Sequence, residues 1–68
     1  MEITTTEDMT RRSLFDSEEQ AHAVMLAAKS AWPEHQWKVA WIRYLNTPFW
    51  CVRTRIDEAG FRLYVRKP

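Results

Sequence analysis

A single glycine, a single cysteine and two histidines are all that these 68 residues hold of the types that most often build phosphate loops, cross-links and metal sites. Gly60 alone cannot form a glycine-rich nucleotide loop, which needs several glycines around one backbone turn. Cys51 alone cannot close an intramolecular disulfide, and such cysteine usage fits a reducing, cytoplasmic setting. His22 and His35 have no further Cys or His at ligand spacing, so no metal site is expected. No apolar run approaches the roughly 18 residues of a membrane span, and 28% of the residues are charged. Met1–Thr10 carries acids and no base, unlike a signal or transit peptide.

These absences remove most enzyme signatures. Cys51 with either histidine would be the one thiol–imidazole pair available. Its place mid-strand between Trp50 and Val52 suits a small buried hydrophobe better. Glu18 and Glu19 are first-turn helix acids, and Glu34 beside His35 is a loop pair. Asn46-Thr47-Pro48 is not a glycosylation acceptor, because proline occupies the third position. One helix and a small sheet also leave little volume for a substrate pocket. The expectation is a protein that is not an enzyme and uses no catalytic residue, metal or cofactor.

Large rings are present in strength: four Trp, three Phe and two Tyr. A domain this short buries only about 60% of the surface its unfolded chain exposes, and each ring can hide about 150–250 Å². The rings are therefore expected to form the core. There is no repeat, no low-complexity linker and no domain boundary. Residues 1–12 read as an arm or, at Ile3–Thr6, a short edge strand, and residues 13–68 as one domain.

Helix signals are concentrated in one stretch. Asp16 with Glu19, or Ser17 with Gln20, matches the N-terminal capping pattern. Ala21, Val24, Met25, Ala28 and Trp32 then fall on one face, with Ala23, Leu26 and Ala27 widening it. Pro33 stops the helix, since the residue before proline leaves the α region. The spacing predicts a helix over about 17–31.

Everything after Pro33 alternates as strand does, over about 36–45, 49–56 and 61–66. A tight turn at Asn46-Thr47 would set Trp41 opposite Val52. A turn at Asp57-Glu58-Ala59-Gly60, with Gly60 at positive φ, would set Ile56 opposite Phe61 and Val52 opposite Val65. One face then gathers Trp37, Val39, Trp41, Leu45, Trp50, Val52, Thr54, Ile56, Phe61, Leu63 and Val65, interrupted only by Arg43. A slip of one residue would scramble that set. The fold class expected is α+β, one helix packed on a three-stranded antiparallel meander in the order α-β-β-β, with a possible fourth, N-terminal edge strand. Trp41 is assigned to the core, where truncation to alanine would cost about 3–5 kcal/mol.

Charge is segregated along the chain. Residues 1–35 hold three bases and seven acids, and residues 36–68 hold seven bases and two acids. Lys38, Arg53, Arg55, Arg62 and Arg66 alternate onto the sheet face away from the helix, interleaved with Tyr44, Phe49 and Tyr64. Guanidinium forks bind phosphate or carboxylate and stack on rings. Such a face can serve nucleic acid, can serve a protein interface, or can simply be a solvated surface whose arginine stems cover rings.

Helix followed by three antiparallel strands resembles the opening of double-stranded RNA-binding domains in topology. The stretch Trp37–Arg66, with its two tight turns and Trp50 just past the first, resembles the sheet half of small inhibitor proteins made by phages and mobile elements, anti-CRISPR proteins among them. That architectural resemblance implies a stand-alone, non-catalytic inhibitor that occupies a surface its target needs. The expected partner is a host protein or protein–nucleic-acid complex, met through Lys38, Tyr44, Phe49, Arg53, Arg55, Arg62, Tyr64 and Arg66. The alternative is direct nucleic-acid binding by the same face. No membrane contact is expected.

Overall fold

The computed structural model describes residues 2–5, 10–55, 60, 61 and 63–67. It is an α+β fold in the order β1 (Glu2–Thr5), a 3-10 turn (Arg11–Ser13), α1 (Glu18–Ala31), β2 (Gln36–Tyr44), β3 (Thr47–Arg55) and β4 (Leu63–Arg66). The four strands make one antiparallel sheet in the order β1-β4-β3-β2. The N-terminal stretch is thus an edge strand, with Ile3 opposite Val65 and Glu2 opposite Arg66.

The helix starts where its caps dictate. Ser17 is the N-cap, accepting from the Gln20 backbone N–H at 3.2 Å, and the Gln20 side chain accepts in turn from the Asp16 N–H at 3.3 Å. The first bond satisfies a donor that the first helical turn leaves free, and the second ties the residue ahead of the cap to the helix. At the other end the Trp32 N–H reaches Ala28 O at 2.8 Å, and Pro33 prevents continuation. The buried stripe is narrower than the apolar pattern. Ala21 and Ala28 are buried and Val24 and Met25 half-buried, while Ala23, Leu26 and Ala27 face out. Two alanines at the contact let the helix sit close to β2 and β3.

The core lies between α1 and the sheet: Phe15, Ala21, Ala28, Val52 and Val65, flanked by Val24, Met25, Trp32, Trp37, Val39 and Trp50. Thr54, fully buried among them, donates its hydroxyl to Gln36 O at 2.8 Å, so its polarity is satisfied. The pairs Arg53↔Tyr64 and Thr54↔Leu63 lie on the expected β3–β4 register. Gly60 has φ +94°, the left-handed value its turn needs. Ile56 and the turn residues 57–59 lie outside the described residues.

The first hairpin departs from expectation. Its turn is Leu45-Asn46, both at positive φ (50° and 62°), which pairs Tyr44 with Thr47 and Trp41 with Trp50 rather than Val52. This two-residue turn twists as hairpins require. The slip is by two, so every side chain keeps its face. Trp41 is not core: with helix α1 lying further along the sheet, it is 53% exposed, and Leu45 on the turn is 80% exposed. Phe61 also changes sides. It precedes β4, outside the ladder, and lies under Lys38 (4.6 Å) and Arg55 (5.0 Å) on the face away from the helix.

Burial therefore ranks the rings. Phe15→Ala should cost about 3–5 kcal/mol and Trp41→Ala about 1 kcal/mol or less in urea unfolding. Equal costs would contradict the placement of Trp41. Leucine in a left-handed backbone conformation is strained, so Leu45→Asn should raise stability by up to about 1 kcal/mol, measured the same way.

Candidate binding face

The side of the sheet away from α1 carries Lys38, Arg53, Arg55 and Arg66, as expected, but it is not an open, solvated surface. Strand alternation places Gln36, Lys38, Ala40, Ile42 and Tyr44 of β2 beside Arg55, Arg53, Cys51, Phe49 and Thr47 of β3 on this side. Tyr64 and Arg66 of β4, with Thr4 and Glu2 of β1, complete it. In the middle, Cys51 is fully buried, Tyr64 is 6% exposed, Phe49 is 7% exposed and Thr4 is buried as well. This is a second, smaller core on the face opposite the helix.

Part of its cover is the segment ahead of α1. The Phe15 N–H donates to Trp50 O at 2.8 Å and the Trp50 N–H donates to Phe15 O at 2.9 Å. That bridge lays the segment beside β3, in line with the end of β4. Phe15 shares the helix side with Trp50, so alternation puts the extended residue Leu14 on the opposite side, where it is 2% exposed. A second clasp joins the 3-10 turn to the end of β4. The Lys67 N–H donates to Arg12 O at 2.8 Å, and Arg12 Nε donates to Lys67 O at 3.1 Å.

Guanidinium groups provide further cover. Arg11 lies 5.5 Å from the centre of the Phe49 ring, and Arg53 lies 5.4 Å from that of Tyr64. Arg55 donates from Nε to Gln36 Oε1 at 2.6 Å while stacking near Phe61. Arg66 pairs loosely with Glu2 at 3.8 Å. The Nε atoms of Arg53 and Arg66 are buried and have no hydrogen-bond partner among the described residues. Cations over ring faces gain from the ring quadrupole while their polar edges stay available.

Of the eight residues expected to bind, the structure brings Lys38, Phe49, Arg53, Arg55, Tyr64 and Arg66 to this one face, Tyr44 marks its hairpin end, and Arg62 lies outside the described residues. Phe49 and Tyr64 are floor rather than surface, whereas Lys38, Arg53 and Arg55 form the layer above. The sequence reading missed Arg11, which comes from a segment with no strand periodicity, and Phe61, whose parity suggested the other side. Within reach of Lys38, Arg53 and Arg55, no carboxylate ion pair occurs among the described residues.

Elsewhere, at the C-terminal end of α1, His35 stacks on both Trp32 and Trp37, which tilt against each other, with centroids 5.7–6.3 Å apart, and Trp37 Nε1 donates to Trp32 O at 3.2 Å. This cluster fastens the helix to the start of β2. Among the described residues no three His, Cys, Asp or Glu side chains converge, and no helix is long and apolar enough to cross a membrane.

Burial of Cys51 under this face has a direct check. A thiol reagent should label the native protein at least about a hundredfold more slowly than the urea-unfolded chain. Labelling at the unfolded rate would mean that the second core is open. In comparisons with known proteins, the chain matches no family model, no curated protein and no solved structure.

Proposed function

We propose that this is a small, non-enzymatic binding protein that docks its basic outer sheet face on an acidic surface of a partner protein or protein–nucleic-acid complex. The observation that carries the reading is the layer of Lys38, Arg53 and Arg55 held over Phe61 and Tyr64, with no carboxylate ion pair to these three among the described residues. A cation already resting on a ring has shed part of its hydration, so pairing it with a partner carboxylate costs less than pairing a free lysine. The strands and the rings beneath also fix the position of each guanidinium stem, which lowers the ordering cost of association.

The mode of action we propose is occupation of a surface the partner needs, as expected from the resemblance of the stretch Trp37–Arg66 to phage and mobile-element inhibitors. Protein is favoured over free nucleic acid by the burial of Phe49 and Tyr64. A single-strand binder presents rings on which bases stack, and here those rings lie under arginines.

Fluorescence anisotropy with labelled duplex DNA, duplex RNA and single strands separates the two readings. Weak binding at every salt concentration is expected. Tight binding that falls about 10³-fold or more between 50 and 200 mM salt would replace the proposal with direct nucleic-acid recognition. A parallel pull-down with wild type and with the double variant Lys38→Glu, Arg55→Glu should lose the partner only for the variant, its far-UV circular dichroism unchanged. Retention of the same partner by a folded variant would assign binding to another face.

A further inference from the structure

Among the described residues, three stretches where this sheet could accept another strand are not protected alike. β1 is a four-residue edge, too short to template much pairing. On β3, the stretch beyond the Phe15 bridge carries Pro48, which has no N–H to offer. β2 closes the opposite end of the sheet with nine residues, no proline and an unbroken register against β3. Natural edge strands are normally shortened, bulged or blocked.

The direction of its backbone groups can be read from the Phe15–Trp50 bridge. Because these two residues exchange both hydrogen bonds, the N–H and C=O of Trp50 point away from β2. Alternation then turns those of Phe49, Cys51, Arg53 and Arg55 toward β2, where they meet Ile42, Ala40, Lys38 and Gln36. The hydroxyl of Thr54 reaching Gln36 O agrees with that phase. The backbone groups of Trp37, Val39, Trp41 and Arg43 consequently face the open edge.

We propose that β2 pairs antiparallel with β2 of a second copy of this chain, about a two-fold axis through Ala40. This register uses the whole strand and opposes residues whose outward groups are in phase. Val39 meets Trp41 of the other copy and Trp37 meets Arg43, in about eight backbone hydrogen bonds. The half-exposed Trp41 indole then gains an apolar neighbour, and Arg43, already 5.9 Å from the Trp41 ring, gains the Trp37 ring. Lys38 falls opposite Ile42, so no like charges face each other. Ala40 at the axis is small enough for its own copy to sit directly opposite. Such an isologous contact closes on itself and stops at two chains. Its axis is normal to the sheet, so the two basic outer faces join on one side as a continuous eight-stranded surface.

Sedimentation velocity from about 1 to 500 µM, the range in which a modest dimer shows itself, is the test. The expected result is a concentration-dependent species of twice the 8.2 kDa chain mass, lost in Trp41→Lys. Because Trp41 is half-exposed, that variant should keep its circular dichroism spectrum. Amide hydrogen exchange of the wild type supplies a measurement independent of the variant: the Val39 and Trp41 amides should slow at least about tenfold between the dilute and the concentrated sample. A wild-type monomer at the highest concentration overturns the proposal and leaves the edge to a strand from a different protein. A dimer whose Val39 and Trp41 amides exchange freely overturns it equally, because its contact then lies elsewhere.

Discussion

The two backbone hydrogen bonds between Phe15 and Trp50 are the joint on which both layers of this protein depend. A sheet with one helix can cover only one of its faces, and a 68-residue chain has little else to spend on the other. By adding residues 14 and 15 to the flank of β3, the bridge solves both problems at once. It delivers Phe15 to the helix-side core, sets Leu14 on the opposite side, and leaves Ser17 two residues on to begin α1. The same bridge makes β3 central at its Trp50 end as well, where β4 has already stopped.

The second face is finished by arginine rather than by another apolar layer. A guanidinium plane with its aliphatic stem covers a ring about as fully as a leucine would, yet leaves charge at the water boundary. Arg11 over Phe49 and Arg53 over Tyr64 therefore serve packing as well as charge. The segregation of bases into the second half of the chain follows from this use. The strands supply cations that sit over rings, whereas the helix carries acids in its first turn, where the backbone dipole favours them.

Most of the architecture was legible because it rests on local rules. The capping pattern at Ser17, the stop at Pro33 and the alternation of three strands all concern residues within a few positions of each other. The faces of β2 and β3 were legible even though the hairpin turn was misplaced. Alternation has a period of two, and a slip of two leaves it unchanged. What alternation cannot give is the length of helix above each strand, so Trp41 and Val39 looked alike although only Val39 lies under cover. The turn itself was hidden because leucine is a poor residue for the left-handed conformation that Leu45 adopts. The candidate binding face was half legible. Its cations could be counted from the strand pattern, but its floor depends on Leu14 and Arg11 meeting β3 from more than thirty positions away. Phe61 shows the same limit at short range, since alternation binds only residues inside the ladder.

In the proposed docking, a face built this way offers its partner charge set in a rigid pattern. The rings fix where each guanidinium stem lies, and the strands fix the spacing between stems, about 4.8 Å across the sheet. Exposing Phe49 or Tyr64 for contact would mean lifting Arg11 or Arg53 off them and opening the smaller core around Cys51. The outward edges of Lys38, Arg53 and Arg55 can be used with no such rearrangement. In the proposed docking, specificity therefore comes from where carboxylates stand on the partner, and the buried rings contribute by keeping the pattern fixed.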